Sequence, residues 1–197
     1  MPFDLFAAQV VFACVMAFTP GPNNVLLAAS GVNFGFARTI PHIAGVTLGF
    51  DVLLIACGAG LGLVFAAIPE LQTVLKIAGA TYMLWLAYKV ATAHQGKEAQ
   101  APVRPFSFLQ AAAFQWVNPK AVLAVVSGVA IYVRPDHPWI DFPILTLVFT
   151  VVTALAVLTW AGFGVALRGL LKDPVPARVF NIVMALLLVA SIVPMML

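Results

Sequence analysis

A helix-breaking sequence interrupts an apolar stretch twice in this chain. The first copy is Thr19-Pro20-Gly21-Pro22-Asn23-Asn24, and the second is Asn118-Pro119-Lys120. When Pro22 is aligned with Pro119, residues 22–32 match residues 119–129 at six of eleven positions, with an offset of 97 in a chain of 197. Broken helices at corresponding positions of two halves indicate the midplane binding site of a secondary transporter. The sequence therefore predicts two related halves, each with a broken helix.

The composition is that of an integral membrane protein. Hydrophobic residues make up 63% of the chain and charged residues 9%, whereas soluble proteins carry about 25% charged residues. Every polar stretch is short, so we expect one all-α membrane domain with no separate soluble part. In this context the net charge of +3 does not indicate a nucleic-acid partner.

Six stretches are apolar enough to span a membrane, for which a helix needs roughly 20 residues. They are Leu5–Val32, His42–Ile68, Leu71–Tyr88, Phe108–Val133, Phe142–Leu167 and Val179–Leu197. The longest polar connection, residues 93–107, separates a first three-helix repeat (1–92) from a second (108–197). Because each half has an odd number of spans, the second half enters the membrane inverted. The prediction is an inverted 3+3 repeat whose segments 1 and 4 are broken.

Basic residues in the connections predict the orientation. Seven lie after segments one, three and five: Arg38, Lys89, Lys97, Arg104, Arg168, Lys172 and Arg178. On the opposite side only Arg134 is found. Cytoplasmic loops are enriched in Lys and Arg, so these connections are expected in the cytoplasm and both termini on the outer side of the membrane.

The first break has the chemistry of an anion site. Pro20, Gly21 and Pro22 cannot continue a helix, and irregular backbone survives at membrane depth only when it is buried in protein or lines a wet cavity. A new helix starting at Pro22 or Asn23 would point its N–H groups into that cavity, where they suit a carboxylate. Asn23 and Asn24 add neutral donors and acceptors. The alternative is a simple proline kink.

The second break adds a cation. Asn118 and Pro119 interrupt segment four, and Lys120 follows at the position that Asn23 holds in the first half. Gln115 and Trp116 directly precede this break and are expected to face the substrate. Lys120 has an alternative interpretation, in which its ammonium only extends to the cytoplasmic interface.

Asp51 is the acidic residue well inside a membrane segment. Ionisable groups at that depth are expensive and usually face a cavity, often in proton or ion coupling. We therefore expect Asp51 to couple transport to protons or to bind the ammonium of a solute, and a purely structural pairing stays open. The three histidines, His42, His94 and His137, fall in connections and are expected at the surface.

Several site types have no residues to support them. The chain lacks a phosphate-binding loop, an H-E-x-x-H zinc motif and a nucleophile elbow, so no enzymatic activity and no cofactor are predicted. Cys14 and Cys57 lie in apolar stretches without a second ligand nearby, and they predict neither a disulfide nor a metal site.

Four segments together resemble the LysE/RhtB family of bacterial amino-acid exporters. They are Thr19-Pro20-Gly21-Pro22-Asn23; the glycines Gly35, Gly45 and Gly49 around Arg38; residues 76–86, similar to the family's G-A-x-Y-L-x-W-L stretch; and Phe106 through Asn118-Pro119-Lys120-Ala121. The match covers nearly the whole chain. The family often has Gly where this chain has residues 110–113, Gln-Ala-Ala-Ala, and its polar residue in segment two varies.

The resemblance implies export of amino acids or close derivatives across the bacterial inner membrane, driven by an ion gradient. With this location, the outer side that holds both termini is the periplasm. We expect a small zwitterionic solute, protons as the coupling ion, and contact with membrane lipid, while a homodimer stays open. Two alternatives also stay open: a metal or inorganic ion exporter of the same fold, and a membrane subunit that does not transport.

Overall fold

The computed structural model describes residues 1–61, 69–92 and 105–193, and within these ranges it contains eight α-helices and no strand. The helices are α1 Phe3–Phe18, α2 Pro22–Phe34, α3 Phe36–Ala56, α4 Pro69–Ala91, α5 Phe108–Val117, α6 Pro119–Tyr132, α7 Pro138–Leu167 and α8 Pro174–Ala190. A π-helical turn, Cys57–Leu61, follows α3, and a 3-10 turn, Leu170–Lys172, precedes α8. The all-helical class is confirmed. Most of the predicted polar connection, residues 93–104, lies outside the described ranges.

Both predicted breaks are present. Helices α1 and α2 meet at 52° across Thr19–Gly21, and α5 and α6 meet at 66° across Asn118. Each second helix begins with proline, Pro22 or Pro119. Proline suits the first helical position because its φ is already set and its missing N–H would have had no partner there.

Two helices are long and apolar enough to cross a membrane, in the residues Phe36–Gly60 and Pro138–Leu167. Each bent pair, α1 with α2 and α5 with α6, passes the same test when taken as one broken span, so the described part of the chain has up to four spans. A shorter apolar helix covers Val175–Ala190.

Glycines set the closest helix contacts. A Cβ atom at Gly31 of α2 would overlap the carbonyl oxygen of Ala161, and one at Gly164 of α7 would overlap that of Ala28. A Cβ atom at Gly45 of α3 would likewise overlap the backbone carbonyl oxygen of Phe108 in α5. Helices α2 and α7, and α3 and α5, therefore pack backbone to backbone, as small residues permit in membrane proteins.

One sequence expectation is wrong. His42 is not on the surface: its side chain is 2% exposed and its ring lies 5.1 Å from that of Phe106. The reason is that α3 begins at Phe36, six residues earlier than the predicted segment, and so carries His42 into the helix interface. His137 is exposed as expected, and His94 lies outside the described residues.

An ion pair fixes the connection between α6 and α7. The Arg134 guanidinium donates to Asp141 from Nε at 2.7 Å and from an Nη atom at 3.0 Å, and the Arg134 backbone N–H donates at 3.2 Å. These hydrogen bonds with Asp141 raise the pKa of Arg134 above its usual value. The Asp141 side chain is fully buried, so the pair holds the first turn of α7 against the preceding loop.

Candidate functional site

A cavity lies where the two breaks meet α3 and α7. The volume open to the centre of a water-sized sphere is about 50 Å³, and the cavity opens to the outside. Its polar side chains come mainly from the breaks, and its apolar wall comes mainly from α3 and α7. The polar residues are Asn23, Asn24, Asn118, Lys120 and Thr153, and the apolar wall includes Val46, Phe50, Phe149, Ala156 and Val157. The breaks thus do line a cavity, as irregular backbone at membrane depth should.

The N-terminus of α2 opens on this cavity. Pro22, Asn23 and Asn24 line it, and no side chain caps the preceding residue, Gly21. The first backbone bond of the helix runs from the Val25 N–H to the Gly21 carbonyl at 3.0 Å. The N–H groups of Asn23 and Asn24 come before that bond and have no partner within the helix. They give this side of the cavity partial positive charge.

At the C-terminus of α1, by contrast, side chains bind several of the free carbonyls. The Asn24 amide donates to the carbonyls of Ala17 at 2.7 Å and Thr19 at 2.9 Å. The Trp160 indole donates to the Phe18 carbonyl at 3.2 Å. Side chains from α2 and α7 therefore satisfy backbone acceptors that the break frees, which is the condition for a break to be stable away from water.

Lys120 completes this arrangement from the other half of the chain. Its Nζ donates to the Thr19 carbonyl at 2.6 Å, to the Thr19 hydroxyl at 2.7 Å and to the Pro20 carbonyl at 3.4 Å. A Cβ atom at Gly21 would lie 2.8 Å from Lys120 Cδ. Glycine at position 21 is therefore what lets the lysine side chain cross the first break.

Gln115 and Asn23 form a reciprocal amide pair. Asn23 Nδ2 donates to Gln115 Oε1 at 2.8 Å, and Gln115 Nε2 donates back to Asn23 Oδ1 at 3.3 Å. Gln115 Nε2 also donates to the Ala111 carbonyl at 2.8 Å, and the side chain is fully buried. The pair ties α2 to α5, so the two breaks are joined by two independent contacts.

Asn118, Pro119 and Trp116, which the sequence also predicted for the site, take part in the structure of the second break. Asn118 lines the cavity and caps α6, its Oδ1 accepting the Lys120 N–H at 3.2 Å. Pro119 is the first residue of α6, and Trp116 is half-buried against the hydrophobic cluster around Leu53 and Phe149. Of the residues predicted for the site, Pro20, Gln115, Trp116 and Pro119 do not line the cavity; Pro20 and Gln115 contact residues that do.

Asp51 lies apart from this cluster. It is half-buried on α3 and accepts a hydrogen bond from the Thr150 hydroxyl of α7 at 2.9 Å. Its neighbour Phe50 lines the cavity, whereas Asp51 does not. The structure thus places the carboxylate at the interface of α3 and α7, outside the lining of the cavity.

Sequence reasoning missed Thr19, Thr153 and Trp160. Thr19 stood next to the first break, and that position was a usable signal. Thr153 and Trp160 both lie in the long apolar helix α7. This helix has three other threonines, and the sequence gives no reason to select Thr153 among them.

Metal ligation finds no support among the residues that the structure describes. No group of three or more His, Cys, Asp or Glu side chains is placed to hold an ion there. Cys14 is half-buried, Cys57 is buried, and both are free.

Comparison with known proteins identifies the family of this chain. The family model of the LysE type translocator matches residues 14–192. Proteins described as cysteine/O-acetylserine efflux proteins from Escherichia coli (strain K12) and Shigella flexneri are each 33% identical to this chain over 187 residues, covering 94% of both chains. No solved structure matches. Translocators and efflux proteins move solutes without transforming them, which confirms that this protein is not an enzyme. With the match spanning nearly its whole length, this chain belongs to the LysE type translocator family.

Proposed function

We propose that this protein is a secondary exporter of small amino acids or close derivatives across the bacterial inner membrane. The observation that carries the proposal is the cavity between the two breaks. It combines an uncapped helix N-terminus, a lysine and three asparagine side chains with an apolar wall. Such a combination of orienting polar groups and apolar surface is typical of small-molecule sites.

The charges suggest how a zwitterion binds. Its carboxylate rests on the N–H groups of Asn23 and Asn24, with the Lys120 ammonium close by at the same break. Its ammonium needs an oxygen acceptor. Asn24 lines the cavity, and its Oδ1 receives no hydrogen bond from any described group. Helix N-termini at breaks hold solute carboxylates in other transporters of broken-helix design.

The solute class follows from the walls and the relatives. Four alanines, Ala17, Ala121, Ala124 and Ala156, line the cavity, leaving room for a short side chain beside the bulkier Phe50 and Phe149. The relatives at 33% identity are cysteine/O-acetylserine efflux proteins. We therefore propose solutes of that size for this chain, with cysteine and O-acetylserine as the first to test.

The proposed topology has six spans in an inverted 3+3 repeat, with both termini in the periplasm. The packing supports the pseudo-symmetry because related helices make reciprocal contacts: α1 packs on α7 as α5 packs on α3, and α4 packs on its own counterpart α8. Exposed apolar side chains on α3 and α7, such as Val52, Ile55, Leu147 and Leu155, support contact with lipid. A homodimer is not needed to build the cavity, whose lining comes from one chain.

Proton coupling through Asp51 is part of the proposal. What supports it is the position of the carboxylate between α3 and α7, held by Thr150 on a helix that also lines the cavity. Protonation there would change the contact between two cavity-forming helices, which is how a coupled ion could act on a solute site without touching it.

Transport by the purified protein tests the proposal. Proteoliposomes are loaded with labelled O-acetylserine, cysteine or lysine, and release is followed with and without an imposed proton gradient. We expect gradient-dependent release of the first two solutes and little release of lysine. Protein-free liposomes and a variant in which Pro20, Gly21 and Pro22 are all alanine are the controls. If neither small solute moves in either direction, the exporter proposal is wrong.

Reporter fusions test the orientation separately. A periplasm-active reporter at each terminus should be active, and the same reporter in the connection at residues 93–107 should be silent. The opposite pattern would overturn the orientation and leave the transport proposal standing.

A further inference from the structure

We propose that Thr153 is the specificity-determining residue of this site and that it binds a hydrogen-bonding oxygen or sulfur on the solute's side chain. The inference rests on the proposed function and adds to it the chemical class of the solute: small amino acids whose side chain carries a hydroxyl, a thiol or an ester. Aliphatic amino acids of the same size are the disfavoured class.

The first observation is a difference among the threonines of α7. Thr146 and Thr159 each donate their hydroxyl to the carbonyl four residues earlier, at 2.9 and 2.7 Å. The Thr150 hydroxyl lies within hydrogen-bond distance of two acceptors, the Thr146 carbonyl at 2.8 Å and Asp51 Oδ1 at 2.9 Å. Donation to the carbonyl four residues earlier is the usual way for a helical threonine to satisfy its hydroxyl where no water is available. Thr153 is only 8% exposed, yet its hydroxyl makes no hydrogen bond to any group in the described part of the chain.

The second observation is where that hydroxyl lies. Thr153 lines the cavity, and the other residues that α3 and α7 contribute to the lining are Val46, Phe50, Phe149, Ala156 and Val157. Thr153 is thus the one polar side chain on this wall, as far as the described residues go. A hydroxyl that lines a cavity and has no partner in the described protein is available to a hydrogen-bonding group supplied from outside the protein.

The two ends of the cavity then bind different parts of the solute. With the carboxylate and ammonium at the breaks, the side chain of an amino acid extends toward α3 and α7. A hydroxyl, thiol or ester oxygen there pairs with Thr153, whereas a methyl group would cover the threonine hydroxyl without satisfying it. A site with a buried polar group rejects an analogue that leaves this group unpaired more strongly than an apolar site rejects an added hydroxyl.

The test compares two solutes that differ at one group. Serine and 2-aminobutyrate compete separately against labelled O-acetylserine in proteoliposomes, and the ratio of their inhibition constants is measured. The wild-type protein should prefer serine. Thr153→Val has nearly the same shape as threonine and loses no hydrogen bond within the described protein, so it should fold. It should lower the preference for serine by about three- to tenfold, the value of one neutral hydrogen bond.

Three further variants make the result specific. Thr153→Ser keeps the hydroxyl and should keep the preference for serine. Thr153→Ala removes the hydroxyl and leaves a smaller side chain, and it should lose the preference for serine. The alanine variant therefore tests the role of Thr153 even if the valine variant fails to insert. Thr159→Val, on the exposed side of α7, is the matched control and should behave as wild type.

An unchanged serine preference in Thr153→Val or Thr153→Ala, with O-acetylserine still transported, would overturn the role of Thr153 and leave the proposed function intact. A wild-type protein that transports no O-acetylserine would overturn both.

Discussion

The ammonium of Lys120 lies 2.6 Å from the carbonyl oxygen of Thr19, 101 residues away in sequence. A cation from the second break thus sits on the negative end of α1, at the first break. Its charge is shared among backbone and hydroxyl oxygens in this conformation. A solute carboxylate at the N-terminus of α2 would therefore either compete with Thr19 for the ammonium or bind beside it.

Replacing Lys120 should affect both transport and stability. In Lys120→Met the carbonyls of Thr19 and Pro20 lose a charged donor, and hydrogen bonds to charged groups contribute about 1.5–3 kcal/mol, so a lower unfolding temperature is expected. Transport of serine should fall at least tenfold. Affinity for serinamide, which has no carboxylate, should change less. Lys89→Met is the control, because Lys89 is exposed and lies over the Trp85 ring at 5.5 Å. Wild-type serine transport in Lys120→Met would show that the cation is only structural.

The Asn23–Gln115 pair predicts energetic coupling between the two halves. Asn23→Ala leaves the buried Gln115 amide without its partner, and Gln115→Ala leaves the half-buried Asn23 amide without its partner. We expect each change to cost about 1–3 kcal/mol. The double variant should lose less than the sum, with an interaction free energy of about 0.5–3 kcal/mol for residues in direct contact. The measurement is the free energy of unfolding of the four proteins in mixed micelles.

Asn33 provides the control for that cycle. It is exposed and donates only to the Ala29 carbonyl in its own helix, at 2.7 Å. Asn33→Ala combined with Gln115→Ala should be additive. Additivity of Asn23→Ala with Gln115→Ala instead would mean that the amide pair does not link the breaks in solution.

Asp51→Asn should separate coupling from binding. Asparagine keeps an oxygen that accepts from Thr150, so the contact between α3 and α7 survives, but the side chain no longer exchanges protons. Release of O-acetylserine driven by a proton gradient should be lost, while exchange of the solute at equal concentrations on both sides should continue. Asp136→Asn, in the exposed connection before α7, should behave as wild type. Gradient-driven release at the wild-type rate by Asp51→Asn would remove this carboxylate from the mechanism.

The sequence predicted the positions of the helix breaks, because these depend on the local chemistry of proline and glycine. Prolines and glycine placed the breaks, and their repetition at an offset of 97 predicted that both contribute to one site; six of the ten predicted binding residues line the cavity. It could not predict partners that depend on how helices pack. The contact of Lys120 with Thr19 is one such case, and the burial of His42 against Phe106 is another. Thr153 could not be told from Thr146 or Thr159, because only the rotation of α7 decides which threonine faces the cavity.

The packing of α2 on α7 gives a prediction with a control two residues away. A Cβ at Gly164 would overlap the carbonyl of Ala28 in α2, whereas one at Gly162 would meet nothing within 4 Å. Gly164→Ala should therefore destabilise the protein by about 1–3 kcal/mol, the usual effect of overpacking. Gly162→Ala should be neutral or stabilising by up to about 1 kcal/mol, since alanine favours a helix more than glycine does. Because α2 carries the uncapped N-terminus into the cavity, only Gly164→Ala should also slow transport. Thermal unfolding and O-acetylserine release, measured on both variants in parallel, check this. Equal behaviour of the two variants would mean that α2 and α7 do not approach this closely in the membrane.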